Sequence, residues 1–263
     1  MRNNQNVQAA LCQMRIHNGQ FERNVETGFK ALKKAVEQKA QITVLPELWT
    51  SGYDLENAGY YAKENIKVLR RLSQFCQTNN IWCVAGSFIL KRKKGELVNS
   101  CMAFDANGRR ISSYEKMHLF PALGENRVFE RGDHPKIFNT PWGKAGLALC
   151  FDIRFPEIFR HYFQKKVKIV FIPAQFPFPR IAHWKILLKA RALEDNCFII
   201  ACNAASHPDQ KRRFGFSSII DPWGDEVIKL EHQESVIAAE LNLDRIVDAD
   251  KKLYLRKSVH PRF

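Results

Sequence analysis

Apolar runs of four to ten residues, each stopped by a proline, a turn segment or a chemically reactive side chain, recur along this chain and alternate with stretches of helical period. Runs this short are strand-length, and their regular alternation with amphipathic segments marks an α/β fold with helices packed on sheet. Residues 7–15 form the first strand candidate, after which Val25, Phe29, Leu32 and Val36 recur at helical spacing. Residues 42–45 are a buried strand closed by Pro46. A helix over 65–79, with Ile66, Leu69, Leu72 and Cys76 on one stripe, leads into a strand over 81–90. A meander follows, turning at the Lys/Arg-rich segment before Gly95 and at Asp105-Ala106-Asn107-Gly108. The pattern resumes with a strand over 145–149, a helix from Pro156, a strand over 168–172, a helix over 181–195 and a strand over 198–203. Shorter strands follow near 215–220, 226–230 and 235–241.

No repeat or flexible linker interrupts this alternation, so residues 1–263 are expected to form a single domain, with a C-terminal extension from about 244. The first residues lack the unbroken apolar stretch of an export signal, and no run approaches the roughly 20 residues needed to span a bilayer. Seven cysteines, an odd number without CxxC spacing, sit mostly inside apolar segments. That usage fits a reducing compartment and a cytoplasmic protein. The net charge of +14 raises the question of an anionic partner. Its densest clusters, 91–94 and 211–213, lie in turn-like polar segments, where solvation accounts for them, and no nucleic-acid-binding signature accompanies them.

Three reactive side chains stand at predicted strand ends: Glu47 just past Pro46, Lys116 after the strand over 110–114, and Cys150 where the run over 145–149 stops. Ligand sites in open α/β sheets gather at the carboxyl ends of strands. Singly, each residue has an ordinary explanation as surface charge or packing. Together a carboxylate, an ammonium and a thiol supply a base, an electrostatic stabiliser and a nucleophile, the set needed to transfer an acyl group from an amide or nitrile to water. That chemistry calls for no metal and no cofactor. Serine hydrolases are disfavoured because there is no GxSxG elbow, and metallohydrolases because the eight histidines are scattered. A catalytically silent binding protein would be expected to have lost one of the three reactive residues.

The segments Leu45-Pro46-Glu47-Leu48-Trp49, Tyr114-Glu115-Lys116-Met117-His118-Leu119-Phe120 and Cys150-Phe151-Asp152-Ile153-Arg154-Phe155-Pro156-Glu157 resemble, in order, the three signature segments of the nitrilase, or carbon–nitrogen hydrolase, superfamily. Separations of 69 and 34 residues between the reactive side chains fit that family, and the likeness extends to about Leu243. The resemblance implies a four-layer α-β-β-α sandwich, a homodimer or larger homo-oligomer, and a catalytic triad of Glu47, Lys116 and Cys150. It also implies a second glutamate at Glu125. The segment from Pro173 through Gln175 and Phe176 to Glu194 is most similar to the ω-amidase branch, whose substrates are monoamides of small dicarboxylic acids such as 2-oxoglutaramate.

On that footing the backbone N–H of Phe151 is expected to assist Lys116 at the oxyanion, and a cation beside Cys150 is expected to draw its thiol pKa towards neutrality. Tyr53, Phe120, Gln175 and Phe176 are candidates to line a pocket for a small-molecule amide. Arg154 and Glu157 are expected first as a structural ion pair, with substrate contact the alternative for Arg154. Arg180 is a candidate to meet a distal carboxylate.

Overall fold

The computed structural model describes residues 6–206 and 214–258, so the basic cluster at 211–213 lies outside the described residues. Among the described residues, twelve strands form two six-stranded sheets. The first sheet holds β1 (Asn6–Gln13), β2 (Ile42–Val44), β3 (Trp82–Lys91), β4 (Leu97–Phe104) and β5 (Arg110–Glu115). The second holds β6 (Lys136–Thr140), β7 (Gly143–Leu147), β8 (Ile169–Ala174), β9 (Phe198–Asn203), β10 (Ser218–Ile220) and β11 (Glu226–Lys229), after which β12 (Ser235–Asn242) returns to the first. Among the described residues the helices are α1 (Phe21–Glu37), α2 (Ala58–Asn79), α3 (Glu125–Val128), α4 (Pro156–Gln164), α5 (Ile181–Glu194) and α6 (Asp244–Leu253). Strand orders are β12-β1-β2-β3-β4-β5 and β11-β10-β9-β8-β7-β6. Each sheet has a parallel core, β1-β2-β3 in one and β7-β8-β9 in the other, flanked by antiparallel strands.

The layer order follows from which face each apolar residue takes. In β1, Ala10 and Cys12 join α1 and α2 in one core, whereas Val7, Ala9 and Leu11 join a second core with residues of the other sheet. In β8, Ile169 and Phe171 enter that shared middle core, and Val170, Ile172 and Ala174 enter a third with α4 and α5. Three apolar interfaces separate four layers, α-β-β-α. Central strands buried on both faces are why the sequence shows unbroken apolar runs instead of alternation.

Two expectations are corrected. Helix α2 starts at Ala58, seven residues before the predicted start, and Ile66 is exposed; its neighbour Asn65 is buried instead. The reason is a polar bond set: Thr50 Oγ1 donates to Asn65 Oδ1 at 2.9 Å, and Asn65 Nδ2 donates to the Ile89 carbonyl at 2.9 Å. An apolar stripe read by hydropathy alone places the helix one residue out of phase here. The described part of the C-terminal segment packs on its own chain, with Arg256 donating to the Phe163 carbonyl at 2.7 Å and Asn196 to that of Ile246 at 3.2 Å. Lys91, Lys93 and Lys94 are exposed at the β3–β4 turn, as solvation requires.

Asn65→Ala leaves a buried hydroxyl and a buried carbonyl unpaired, and is expected to lower unfolding free energy by about 2–4 kcal/mol in urea titrations. Ile66→Ala on the adjacent, exposed position is expected to change it by less than about 0.5 kcal/mol.

Candidate active site

Strand ends from both sheets converge on one buried ammonium. Glu47 lies three residues beyond β2, Lys116 follows β5 directly, Cys150 lies three residues beyond β7, and Gln175 follows β8. Glu47 itself joins the sheets: its N–H donates to the Ala174 carbonyl at 3.4 Å, its carbonyl accepts from Gln175 Nε2 at 2.8 Å, and its Oε2 accepts from the Gln175 N–H at 3.1 Å. Gly86 makes that turn possible. It has φ +67° at a bulge in β3, and a Cβ there would lie 2.0 Å from the Pro46 carbonyl oxygen. Beside it, Ser87 Oγ accepts the Leu48 N–H at 2.9 Å.

Lys116 Nζ donates to Glu47 Oε1 and to Glu125 Oε1, both at 2.7 Å, and all three side chains are sealed from solvent. Their remaining acceptors are also occupied. Asn99 Nδ2 donates to Glu47 Oε1 at 2.9 Å, while Tyr53 Oη and the Phe120 N–H donate to Glu125 at 3.0 and 2.6 Å. Burial alone would lower the lysine's pKa, but the Glu125 and Glu47 carboxylates outweigh it and hold the ammonium above its ordinary value. Tyr53 is pushed well up by its own burial and by Glu125, which keeps it a neutral donor.

Cys150 opens a 3₁₀ turn, Cys150–Arg154, in the left-handed region at φ +42°. A non-glycine residue held there is strained, and its thiol lies within electrostatic reach of Glu47, Lys116 and Glu125. Of Glu47, Lys116, Glu125 and Cys150, the cysteine retains the most surface, at 6%. Its pKa runs against expectation. Burial first and the Glu47 carboxylate second push the thiol well above its usual value, and Lys116 only partly offsets them. The expected shift towards neutrality counted the cation without counting desolvation and two carboxylates, so Cys150 rests as a thiol.

Within electrostatic reach of Cys150, the Arg154 guanidinium lies over the rings of Phe176 and Phe151, at 5.4 and 5.8 Å from their centroids, and faces His183 Nδ1 at 3.3 Å. It makes no ion pair with exposed Glu157, which corrects that expectation: the aromatic rings hold the guanidinium over the turn, and Glu157 sits in the first turn of α4. Arg180 lies over Phe120 at 5.2 Å. Burial first and Arg180 second lower the Arg154 pKa. Phe176 is buried against Trp184, and the Gln175 side chain is engaged on Glu47. Asn99 and Asp152 were not singled out from the sequence; Asp152 lies inside a signature segment, but Asn99 sits in an apolar strand and only its contact with Glu47 reveals it.

The family model for carbon–nitrogen hydrolases matches residues 8–251. The chain belongs to the carbon–nitrogen hydrolase family. It is 37% identical to the 2-oxoglutaramate amidase of Bacillus subtilis over 81% of this chain and 83% of that one. It is 30% identical to the omega-amidase NIT2 of Xenopus tropicalis over 89% and 88% respectively. In fold it resembles Nit3 of Saccharomyces cerevisiae, a member of branch 10 of the nitrilase superfamily, with a TM-score of 0.89 at 23% identity, covering 98% of this chain and 97% of that one. Among the described residues, no helix of this family member is long and apolar enough to cross a membrane.

The thiolate is the form that reacts with alkylating agents, so Cys150 reactivity reports its electrostatics. Because Glu47 raises the thiol pKa and Lys116 lowers it, Glu47→Gln is expected to speed iodoacetamide labelling of Cys150 at pH 8 several-fold and Lys116→Met to slow it, with labelling followed by mass spectrometry. Equal rates in the two variants would contradict this charge arrangement.

Proposed function

We propose that this chain is an amidase that releases ammonia from a monoamide of a small dicarboxylic acid, of the 2-oxoglutaramate type, through a thioester on Cys150. The observation that carries the proposal is the ammonium of Lys116, fixed by two carboxylates next to a strained cysteine. In this mechanism Glu47 takes the thiol proton as the sulfur attacks the amide carbonyl, and a tetrahedral intermediate forms. Lys116 Nζ and the Phe151 N–H stabilise its oxyanion. As the carbon–nitrogen bond breaks, the Glu47 carboxyl returns the proton to the departing amine, and ammonia leaves. Glu47 then takes a proton from water, hydroxide adds to the thioester, and the collapsing intermediate expels the thiol, reprotonated by Glu47, with release of the acid.

A resting thiol supports this role for Glu47, because the proton must leave at the moment of attack and an acceptor must stand ready for it. Two features support the substrate class. The relatives named above are a 2-oxoglutaramate amidase and an ω-amidase, and two neighbouring guanidinium groups, Arg154 and Arg180, stand over aromatic rings with Arg154 in electrostatic reach of Cys150. A carboxylate at the far end of the substrate would take charge-assisted hydrogen bonds from either. Tyr53, Phe120, Gln175 and Phe176 then shape the space between. The same reading has residues 1–263 working as one domain in the cytoplasm, which suits seven free cysteines. It also has the chain pairing with itself through a helical face, to which Ile186 and Leu193, both exposed on α5, are suited.

The test is ammonia release from 2-oxoglutaramate and succinamate, set against simple nitriles and N-carbamoyl amino acids, with Cys150→Ala as blank. Turnover of the two monoamides and none in the blank is expected; turnover of nitriles alone would overturn the amidase assignment. Arg180→Met together with Arg154→Met is expected to raise KM for the monoamides by about 10–100-fold, the loss of one or two charge-assisted bonds, while turnover of an uncharged amide is little altered.

A further inference from the structure

The nucleophile and the stabilising lysine lie on chain segments that follow strands of different sheets, β7 and β5. One buried carboxylate that the mechanism does not use bridges them. Asp152, two residues after Cys150, has no exposed side-chain surface and accepts four hydrogen bonds. Its Oδ2 takes the Leu149 N–H at 2.9 Å, which closes the turn that carries Cys150, and the Tyr114 hydroxyl at 2.6 Å. Its Oδ1 takes the His118 N–H at 3.0 Å and His118 Nδ1 at 2.8 Å. Tyr114 and His118 lie two residues on either side of Lys116. Both sides of the lysine's backbone are thereby tied to the residue that shapes the cysteine's turn.

The histidine is fixed in turn by a ring stack. Its imidazole lies on Phe155, the residue after the 3₁₀ turn, with centroids 3.6 Å apart and planes within 6°. Asp152 and His118 together therefore grip the nucleophile's turn at its start and its end. Asn at position 152 cannot replace this. It has one acceptor oxygen where four donors converge, and its NH₂ would face an N–H or O–H whichever way the amide turns.

We propose that Asp152, braced by His118, is a positioning residue that sets the placement of the Cys150 sulfur relative to the Lys116 ammonium. This rests on the proposed role of Cys150 as nucleophile. The strut acts in the transition state: the oxyanion must form within reach of an ammonium already anchored by Glu47 and Glu125, and an error of about 1 Å in the cysteine's turn costs on the order of 100-fold in rate. Arg180, over Phe120, lies outside this turn and remains to hold the substrate carboxylate, so the rate should fall more than affinity.

The experiment measures kcat and KM for ammonia release in Asp152→Asn and His118→Phe, per folded enzyme as determined by urea titration, with wild type and Cys150→Ala alongside. His118→Phe keeps a ring on Phe155 and the backbone bond to Asp152, so it tests the strut even if Asp152→Asn does not fold. Asp152→Asn is expected to lower kcat about 30–100-fold and His118→Phe about 3–10-fold, with KM within about threefold of wild type. A purely structural role would lower the folded fraction and leave kcat per folded molecule unchanged. Either folded variant keeping kcat within about twofold of wild type, or losing efficiency through KM alone, overturns the proposal. Turnover surviving in Cys150→Ala would instead overturn the nucleophile assignment and the strut with it, so the two failures are distinguishable.

Discussion

A fully buried lysine between two fully buried carboxylates is the constraint around which this structure is organised. Taking three charges out of water is costly, and mutual attraction repays that cost only when geometry is tight and every remaining acceptor finds a donor. The structure meets that condition with groups from distant parts of the chain: Asn99 from β4, Gln175 from the end of β8, Tyr53 from the loop before α2, and the backbone of Phe120. None of these contacts forms until both sheets and their loops are in place. The charged cluster is therefore a product of the finished sandwich, whose stability must come from the three apolar cores.

The two sheets meet at this cluster through backbone as well as side chains. Glu47 bonds Ala174 and Gln175 across the interface, and the bulge at Gly86 lets β3 pass under Pro46 closely enough for Ser87 to hold the following N–H. Holding the Glu47 carboxylate in place in this way would lower what has to be reorganised if it acts as the proposed base. The same rigidity explains how a cysteine in the left-handed region persists: the Leu149 and Asp152 bonds close its turn from both directions.

Much of this was legible in the sequence, and what was not has physical reasons. Strand ends at Glu47, Lys116 and Cys150 could be read because strands buried on both faces give apolar runs with sharp limits, and the runs over 198–203 and 181–195 match β9 and α5 to within a residue. The layer order could not be read from the runs alone. Assigning Val7 to one core and Ala10 to another needs the partner layers, and the layer order itself came only through resemblance. Asn65 and Ile66 exchanged places because hydropathy does not register a buried amide that finds its own partners. The Cys150 thiol was misjudged for a related reason: a neighbouring cation is visible in a motif, but desolvation is a property of the assembled site. Glu157 missed Arg154 because aromatic faces competed for the guanidinium.

Charge differs between the buried cluster and the arginines near it, and the difference would orient a substrate of the proposed class. Arg154 and Arg180 are two half-buried guanidinium groups, whereas the cluster, with two carboxylates and one ammonium, is formally −1. A dicarboxylate monoamide entering carboxylate first would bring like charges together in a sealed, low-dielectric space, where repulsion is strongest. Entering amide first, it places a neutral group beside Glu47 and leaves the carboxylate with Arg154 and Arg180. Hydrolysis would convert that neutral group into a second carboxylate beside a cluster that is already formally −1. The product of the proposed reaction would be repelled from the place where the substrate was stable, so the charge that keeps Lys116 ionised would also favour release of the acid.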